Sequence, residues 1–389
     1  INEEYDVEGY NQLMMSGKIT LSPIEGLNLS VMGAMQRFDR MENKSNTFKH
    51  MTTVVNGDYG NVWNWADNTM QKNLELVGDY TKSLGLHNLG AMIGYSYQDD
   101  DAKGIYQWAK DFPTDMFGPW NIGSMNDMKD NKAAMTSYRN THKLISFFGR
   151  VTYNYDEKYL FEANLRNDAS SKFAKGNRSA LFPSFSLGWR VSEERFFEKL
   201  KEHVSSLKLR TSWGLVGNNR IDNYQYLSSV TVSPKYNFGN TIVNGASFAA
   251  VNTDIKWETT AMFDLGIDVG FLNNSLNITA DFFNNVTRDI LIGLPVPGMF
   301  GGGSPVQNAG KVRNRGWELN MNYRFKTGQV EHFVSGNVSD AANEVIDTRG
   351  VEWINGADVN TIIKEGYPIN SYYAYRVNGI FQNDEEVAQ

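Results

Sequence analysis

Residues Trp257–Arg288, WETTAMFDLGIDVGFLNNSLNITADFFNNVTR, form two runs of about ten residues on either side of Asn273-Asn274. In the first run Phe263, Leu265, Ile267, Val269 and Phe271 share one parity, while Asp264, Gly266, Asp268 and Gly270 share the other. In the second, Leu276, Ile278, Ala280 and Phe282 oppose Asn277, Thr279, Asp281 and the exception, Phe283. Successive strand side chains point to opposite faces, so the pattern predicts a hairpin with one apolar and one polar face. Asparagine tolerates positive φ, so Asn273-Asn274 is expected to be its tight turn.

The same pattern recurs outward from this hairpin. Gln12–Ser22 and Leu27–Phe38 alternate around Pro23–Gly26, and Asn73–Leu84 and Asn88–Gln98 around Gly85–His87. Ile145–Tyr155 and Tyr159–Asp168 flank Asp156-Glu157-Lys158. Further strands are expected at Leu181–Val191, Leu207–Leu215, Trp317–Phe325 and, more weakly, Phe333–Ser339. Ser192–Ser206 differs in kind. Phe196, Phe197, Leu200 and Val204 recur at helical spacing, which predicts a short amphipathic helix. The total is twelve strands, and their connections alternate between short and long. The long ones are read as loops at Asp39–Gln71, Asp99–Thr141, Gly217–Lys256 and Val286–Val312, with a last loop-like stretch to Gln389 that holds extended Tyr372–Phe381. Long loops confined to one end are the habit of a membrane barrel, whose periplasmic turns are tight.

Composition agrees. The 389 residues include 9 Trp, 19 Tyr and 22 Phe but no Cys, which excludes a disulfide scaffold, a thiolate zinc site and a thiol nucleophile. The thin net charge of -7 argues against a nucleic-acid surface. No apolar run reaches the ~18 residues of a membrane helix, a limit that does not bear on barrel strands. Charges keep to the polar parity: Arg166, Asp168, Arg210, Asp264, Asp268, Glu318 and Arg324 are expected to face the lumen. On the lipid side a mid-bilayer Arg or Lys would cost ~2–4 kcal/mol. Tyr153, Tyr155 and Tyr159 at one turn, and Tyr323 and Phe325 before another, sit where an aromatic girdle belongs. The expected fold is all-β, a segment of a transmembrane antiparallel β-barrel with long extracellular loops.

Several stretches resemble the barrel of SusC/RagA-type TonB-dependent outer-membrane transporters of Bacteroidetes. They are GRVTYNYDEKYLFEANLRNDASSKF (Gly149–Phe173), LFPSFSLGWRVSEERFF (Leu181–Phe197), LKLRTSWGLVGNN (Leu207–Asn219) and Trp257-Glu258 with LGIDVGF. DFFNNVTRDILI (Asp281–Ile292), NAGKVRNRGWELNM (Asn308–Met321) and EGYPINSYYAYRVNGIFQN (Glu365–Asn383) follow in family order. The resemblance covers about Lys143 to Gln389. Ala169 stands where Gly is expected, and SDAAN (Ser339–Asn343) is not the usual strand end. Family barrels hold about 22 strands. The chain is therefore expected to be part of one barrel domain, with plug, TonB box and remaining strands outside it. The resemblance implies TonB-dependent import of a glycan or peptide nutrient across the outer membrane, with a SusD-like surface lipoprotein as partner and TonB as energy source. It implies no enzyme activity and no cofactor. A non-transporting adhesin or receptor barrel is the alternative, and a secreted carbohydrate-binding β-domain a further one.

Trp63, Trp65, Tyr106, Trp108 and Trp120 fall in the expected extracellular loops and are candidate substrate contacts, since flat aromatic faces suit sugars or apolar side chains. His50, His87, His142, His203 and His332 are scattered and form no expected catalytic group or metal site. Asp99-Asp100-Asp101 is a solvated acidic stretch with calcium as its other reading, and Gly301–Gly303 lacks the residues of a phosphate loop.

Overall fold

The computed structural model describes residues 4–46, 60–111, 120–129, 133–231, 235–248, 251–294, 304–352, 354–356, 360–377 and 379. Twelve strands form one continuous antiparallel sheet in chain order. They are β1 (Glu4–Ile24), β2 (Leu27–Asn46), β3 (Asn61–Leu84), β4 (His87–Lys110), β5 (Ala134–Tyr155) and β6 (Tyr159–Ser170). The sheet continues with β7 (Ser179–Arg190), β8 (Val204–Asn218), β9 (Glu258–Phe271), β10 (Leu276–Arg288), β11 (Lys311–Thr327) and β12 (Val330–Asp347).

The hairpin at Trp257–Arg288 is β9–β10, paired from Phe271↔Leu276 to Thr259↔Arg288. Its turn is longer than the expected Asn pair. Leu272, Asn273 and Asn274 all have φ between 53° and 62°, and Ser275 N–H donates to the Leu272 carbonyl. Asn274 also accepts a hydrogen bond from Ser206 at 2.8 Å, which ties the turn to β8.

The two sheet faces invert the usual rule of burial. Ile93 is 74 % exposed and Phe147 58 %. Leu265, Leu319 and Val338 are exposed on the same face. Such a wall is stable only against lipid, because a soluble sandwich would bury these side chains under a second sheet. From His87 to Tyr97 the outward residues of β4 run His, Leu, Ala, Ile, Tyr and Tyr. Ten steps of ~3.4 Å at ~45° tilt give a band ~24 Å tall, the height of a barrel's apolar belt. His87, Tyr153, Tyr155, Tyr159 and Trp189 gather ring to ring at the tight-turn end.

Several sequence expectations are corrected. β2–β5 run far into the stretches read as loops, and β3 and β4 pair over their whole length without a bulge. β1 begins at Glu4, and β12 runs to Asp347, so the SDAAN stretch lies inside a strand. The expected helix at Ser192–Ser206 is instead two 3-10 turns, Val191–Glu193 and Arg195–Leu200, followed by β8. Phe197 alone of that apolar set is buried, too little to hold a longer helix. There Glu194 accepts hydrogen bonds from Tyr159 (2.5 Å) and Trp189 (3.3 Å). The Tyr159 hydrogen bond is the main reason its carboxyl is held below the ordinary range. The Gly217–Lys256 connection carries two small hairpins, Lys235–Phe238 with Thr241–Asn244 and Val230–Thr231 with Ser247–Phe248. In Tyr372–Phe381 the described strand is only Ser371–Tyr372.

Two small cores pack against the sheet ends. Met125 sits on Val62 and Ala109, all three fully buried. Phe173, Phe182, Ile255 and Trp257 form the other, with Trp257 donating to the Arg178 carbonyl at 2.7 Å. The quoted stretch thus starts at an anchored tryptophan.

Candidate functional site

Beyond the apolar belt, the polar face of β2–β5 carries three consecutive ladder rows. The first is Arg40, Asp67, Gly104 and Tyr138; the second Glu42, Trp65, Tyr106 and Thr136; the third Lys44, Trp63, Trp108 and Ala134. Trp63, Trp65, Tyr106 and Trp108 are therefore on strands rather than loops, which corrects the sequence reading. Above lipid both sheet faces meet water, so alternation fades while the backbone still satisfies its hydrogen bonds by pairing. Register brings the four together as two cross-strand pairs, Trp63 with Trp108 and Trp65 with Tyr106. The second pair meets edge to face, with ring centroids 5.2 Å apart.

Trp120 does not join them. It stands in the β4–β5 connection, 66 % exposed, with its ring 5.7 Å from Tyr5 of β1. Tyr5 pairs with Ser45, in one outward row with Val62 and Ala109, and Met125 holds the connection against that row. Trp120 thus lies by the opposite face.

The polar groups around the aromatic pairs were not legible in the sequence. Asp67 Oδ1 accepts from Trp65 Nε1 and from the Tyr138 hydroxyl, each at 2.7 Å. Arg40 stands 3.9 Å from the other Asp67 oxygen and also binds Glu8 and Glu42. A Cβ at Gly104 would collide with Asp67 and Tyr138, so glycine makes the notch they occupy. The result is a pre-ordered aromatic wall whose Asp67 acceptor is already engaged. It offers ring faces rather than loose carboxylates, a surface for sugar rings or apolar peptide side chains.

At membrane height the remaining predicted residues occupy the polar face. Arg210 donates to both Asp268 oxygens (2.8 and 3.1 Å) and to Asp281 (2.9 Å), across β8, β9 and β10. A Cβ at Gly266 would fall on Asp281 and Arg210, so glycine opens their path. Asp264 is two residues away on the same face, and Glu318 pairs in register with Asp281. Arg166 donates to Asp168 and to Ser146, with its guanidinium 5.4 Å above Phe148. Arg324 lies 5.4 Å over Phe333. A trough of about 480 Å³ runs over this face past Thr81, Thr152, Glu162, Lys208, Arg210 and Asp264.

One chain of contacts went unseen in the sequence. Asp100 meets His142 Nδ1 at 3.2 Å, and His142 Nε2 meets Ser170 Oγ at 3.2 Å. The order resembles a hydrolytic triad, yet Ser170 is fully buried and its oxygen also accepts from Asn219 at 3.0 Å. A nucleophile must be reachable. This serine is a pin between β4, β5, β6 and the next connection. Asp99, Asp100 and Asp101 alternate across the two faces of β4 and cannot converge on calcium. No group of metal-holding side chains occurs among the described residues. His50 and Gly301–Gly303 lie outside them.

A single lipid-facing sheet with a charged interior and one-sided long connections defines an outer-membrane β-barrel wall. Residues 12–379 match the family described as TonB dependent receptor-like, beta-barrel, and the chain belongs to that family, in its SusC/RagA branch. It is 34% identical over 315 residues to TonB-dependent receptor P3 of Formosa agariphila, covering 78% of this chain and 31% of that protein. It is 30% identical over 356 residues to TonB-dependent receptor SusC of Bacteroides thetaiotaomicron, covering 84% and 34%. The solved structure of the RagAB peptide transporter superposes with a TM-score of 0.83 at 25% identity, covering 95% of this chain and 40% of that one. The chain thus spans about a third of the length of these curated relatives.

Proposed function

We propose that the protein to which this wall belongs imports a nutrient, an oligosaccharide or a peptide, across the outer membrane in a TonB-dependent step. A SusD-like surface lipoprotein delivers the ligand, which meets the ring faces of Trp63, Trp65, Tyr106 and Trp108 before it passes the charged interior. Arg166, Asp168, Arg210, Asp264, Asp268, Glu318 and Arg324 line that interior and hold either the plug or the passing ligand. The barrel performs no covalent chemistry.

The observation that carries this reading is the convergence of four aromatic side chains on the interior face, above the membrane. The family supports it, as do the words SusC and peptide transporter in the names of two similar proteins. The test is uptake by cells carrying the full-length protein with all four residues changed to alanine. At ~0.5–1.5 kcal/mol per lost aromatic contact, ligand binding should weaken at least tenfold. Parallel assays with oligosaccharide and peptide pools identify the class. Uptake that persists without TonB would overturn the TonB-dependent step, and uptake absent for both pools would favour an adhesin or receptor barrel.

A further inference from the structure

The lipid-facing side of β3–β5 carries a second organised feature, independent of transport. Directly above the apolar belt, the outward residues form a grid of charge. One ladder row holds Lys72, Asp99 and Lys143; the next Met70, Asp101 and Thr141; the third Asn68, Lys103 and Arg139. Asp101 is engaged by Arg139 through two hydrogen bonds of 2.9 Å. On β2 beside the grid, Asp39 is likewise held by Arg37. That leaves the exposed Lys72, Lys103 and Lys143, none of which makes an ion pair within 4.0 Å among the described residues, against Asp99. Three ammonium groups against one carboxylate give the patch a surplus of two positive charges.

The patch is also a cleft. It encloses about 570 Å³ between Lys72, Asp99, Asp101, Arg139, Lys143 and Tyr224, with Lys103 one ladder row above Asp101 and outside the lining. Tyr224 comes from the β8–β9 connection and crosses to β5, where its hydroxyl accepts from Thr141 N–H at 3.0 Å and bonds the Thr141 side chain at 2.7 Å. This tether walls the cleft on the side where β6 has already ended.

Below the lysines, inside the belt, lies an apolar groove of about 900 Å³. Gly78 and Gly149 floor it, and Leu76, Ile93, Phe147 and Leu165 flank it. Leu76 is four residues along β3 from Lys72, a separation of ~13 Å. A cationic cleft at the water boundary over an apolar groove in the hydrocarbon matches a molecule with an anionic head and an acyl tail. Elsewhere on the outer wall Arg315 stands without such company, beside Asn284 and Ala342 in register.

We propose that this wall binds a phosphorylated lipid of the outer leaflet, with phosphate held between Lys72 and Lys143, Lys103 adding charge beside the cleft, and an acyl chain lying in the Gly78–Gly149 groove. A membrane lipid is favoured over a protein because half of the site lies within the apolar belt. Charge next to a lipid surface contributes about a factor of five per lysine.

The test uses the full-length protein in nanodiscs. Retained lipid is counted by native mass spectrometry, with a bisphosphorylated glycolipid and its dephosphorylated form as probes. Wild type should retain the phosphorylated form selectively. K72Q/K103Q/K143Q should lower its retention about a hundredfold, D99N should raise it about fivefold, and R315Q should leave it unchanged. Equal retention of both probes, or a triple variant that binds as wild type does, would overturn the proposal. If the triple variant does not assemble, D99N decides, and failure to tighten rejects the site.

Discussion

The β3–β4 and β9–β10 hairpins share one plan but differ in height. Each has a tight turn at the periplasmic end and about ten alternating residues across the membrane. β9 and β10 stop near there, at 14 and 13 residues, whereas β3 and β4 continue to 24 each. The extra residues rise ~26 Å further at the same tilt. Within lipid, alternation is enforced, because an outward charge meets hydrocarbon. Above lipid it is released, and the outward face of β4 takes Asp99, Asp101 and Lys103. The same backbone ladder therefore serves as membrane wall below and solvated rim above.

The sharpest way to break this comparison is to place one charge on both levels. Ile267→Arg, on the outward face of β9 between Leu209 and Ala280, should destabilise the assembled full-length barrel by ~2–4 kcal/mol in denaturant unfolding. Ile105→Arg, outward on the upper part of β4, should cost close to nothing. Equal penalties would mean that the belt does not end where Asp99 begins.

A smaller effect separates two bidentate Arg–Asp pairs. Arg210 and Asp268 are about one-third exposed, and Asp281 shares the same guanidinium. Arg139 is 68 % exposed beside Asp101. Arg210→Gln strands two carboxylates on the interior face and should cost about 1–2 kcal/mol, discounted for water access, while Arg139→Gln stays within about 0.5 kcal/mol. Unfolding curves of both variants in one lipid would show the ranking.

Hydrogen exchange sharpens the contrast at the backbone. Ala134–Asn140 of β5 pair only with β4, because β6 begins its pairing at Ser170↔Leu144 and Ser171 reaches up only to Lys143. Amides of Ala134–Asn140 should exchange severalfold faster than those of Leu265–Val269, which are paired on both sides. Equal protection would place another strand on that edge.

The smallest effect concerns the opposite rim. The Glu194 carboxyl is held low mainly by the Tyr159 hydroxyl, so its contribution is full above the ordinary carboxylate range. It is lost as pH falls through the lowered value. Acidification should free the Tyr159 ring, seen as a change in its NMR or fluorescence environment that Glu194→Gln abolishes.

How much of this was legible in the sequence follows from the same physics. The twelve strands and their alternating connections were readable because lipid forces a strict two-residue period. Phe263 through Phe271 is a complete example. The upper halves of β2–β5 were not readable, since water on both faces removes the contrast. Asp99-Asp100-Asp101 looks like a loop for that reason. The aromatic pairs were visible as residues but not as partners: Trp63 and Trp108 meet only through a register fixed at the distant Gly85-Leu86 turn. Phe196, Phe197 and Leu200 misled because their spacing over one turn also suits the 3-10 turn Arg195–Leu200, while Val204 already opens β8.

The early end of β6 has a geometric consequence. Between Ala134 of β5 and Ser170 of β6 the rim drops by about ten residues, ~34 Å of strand. Seen from outside the cell, the wall has a high back and a low sill. The aromatic pairs stand on the high back, and the step falls within two strands of them. The β8–β9 connection reaches into that step through Tyr224 and its bonds to Thr141, so the height lost in strand is taken up by a connection braced on the taller wall.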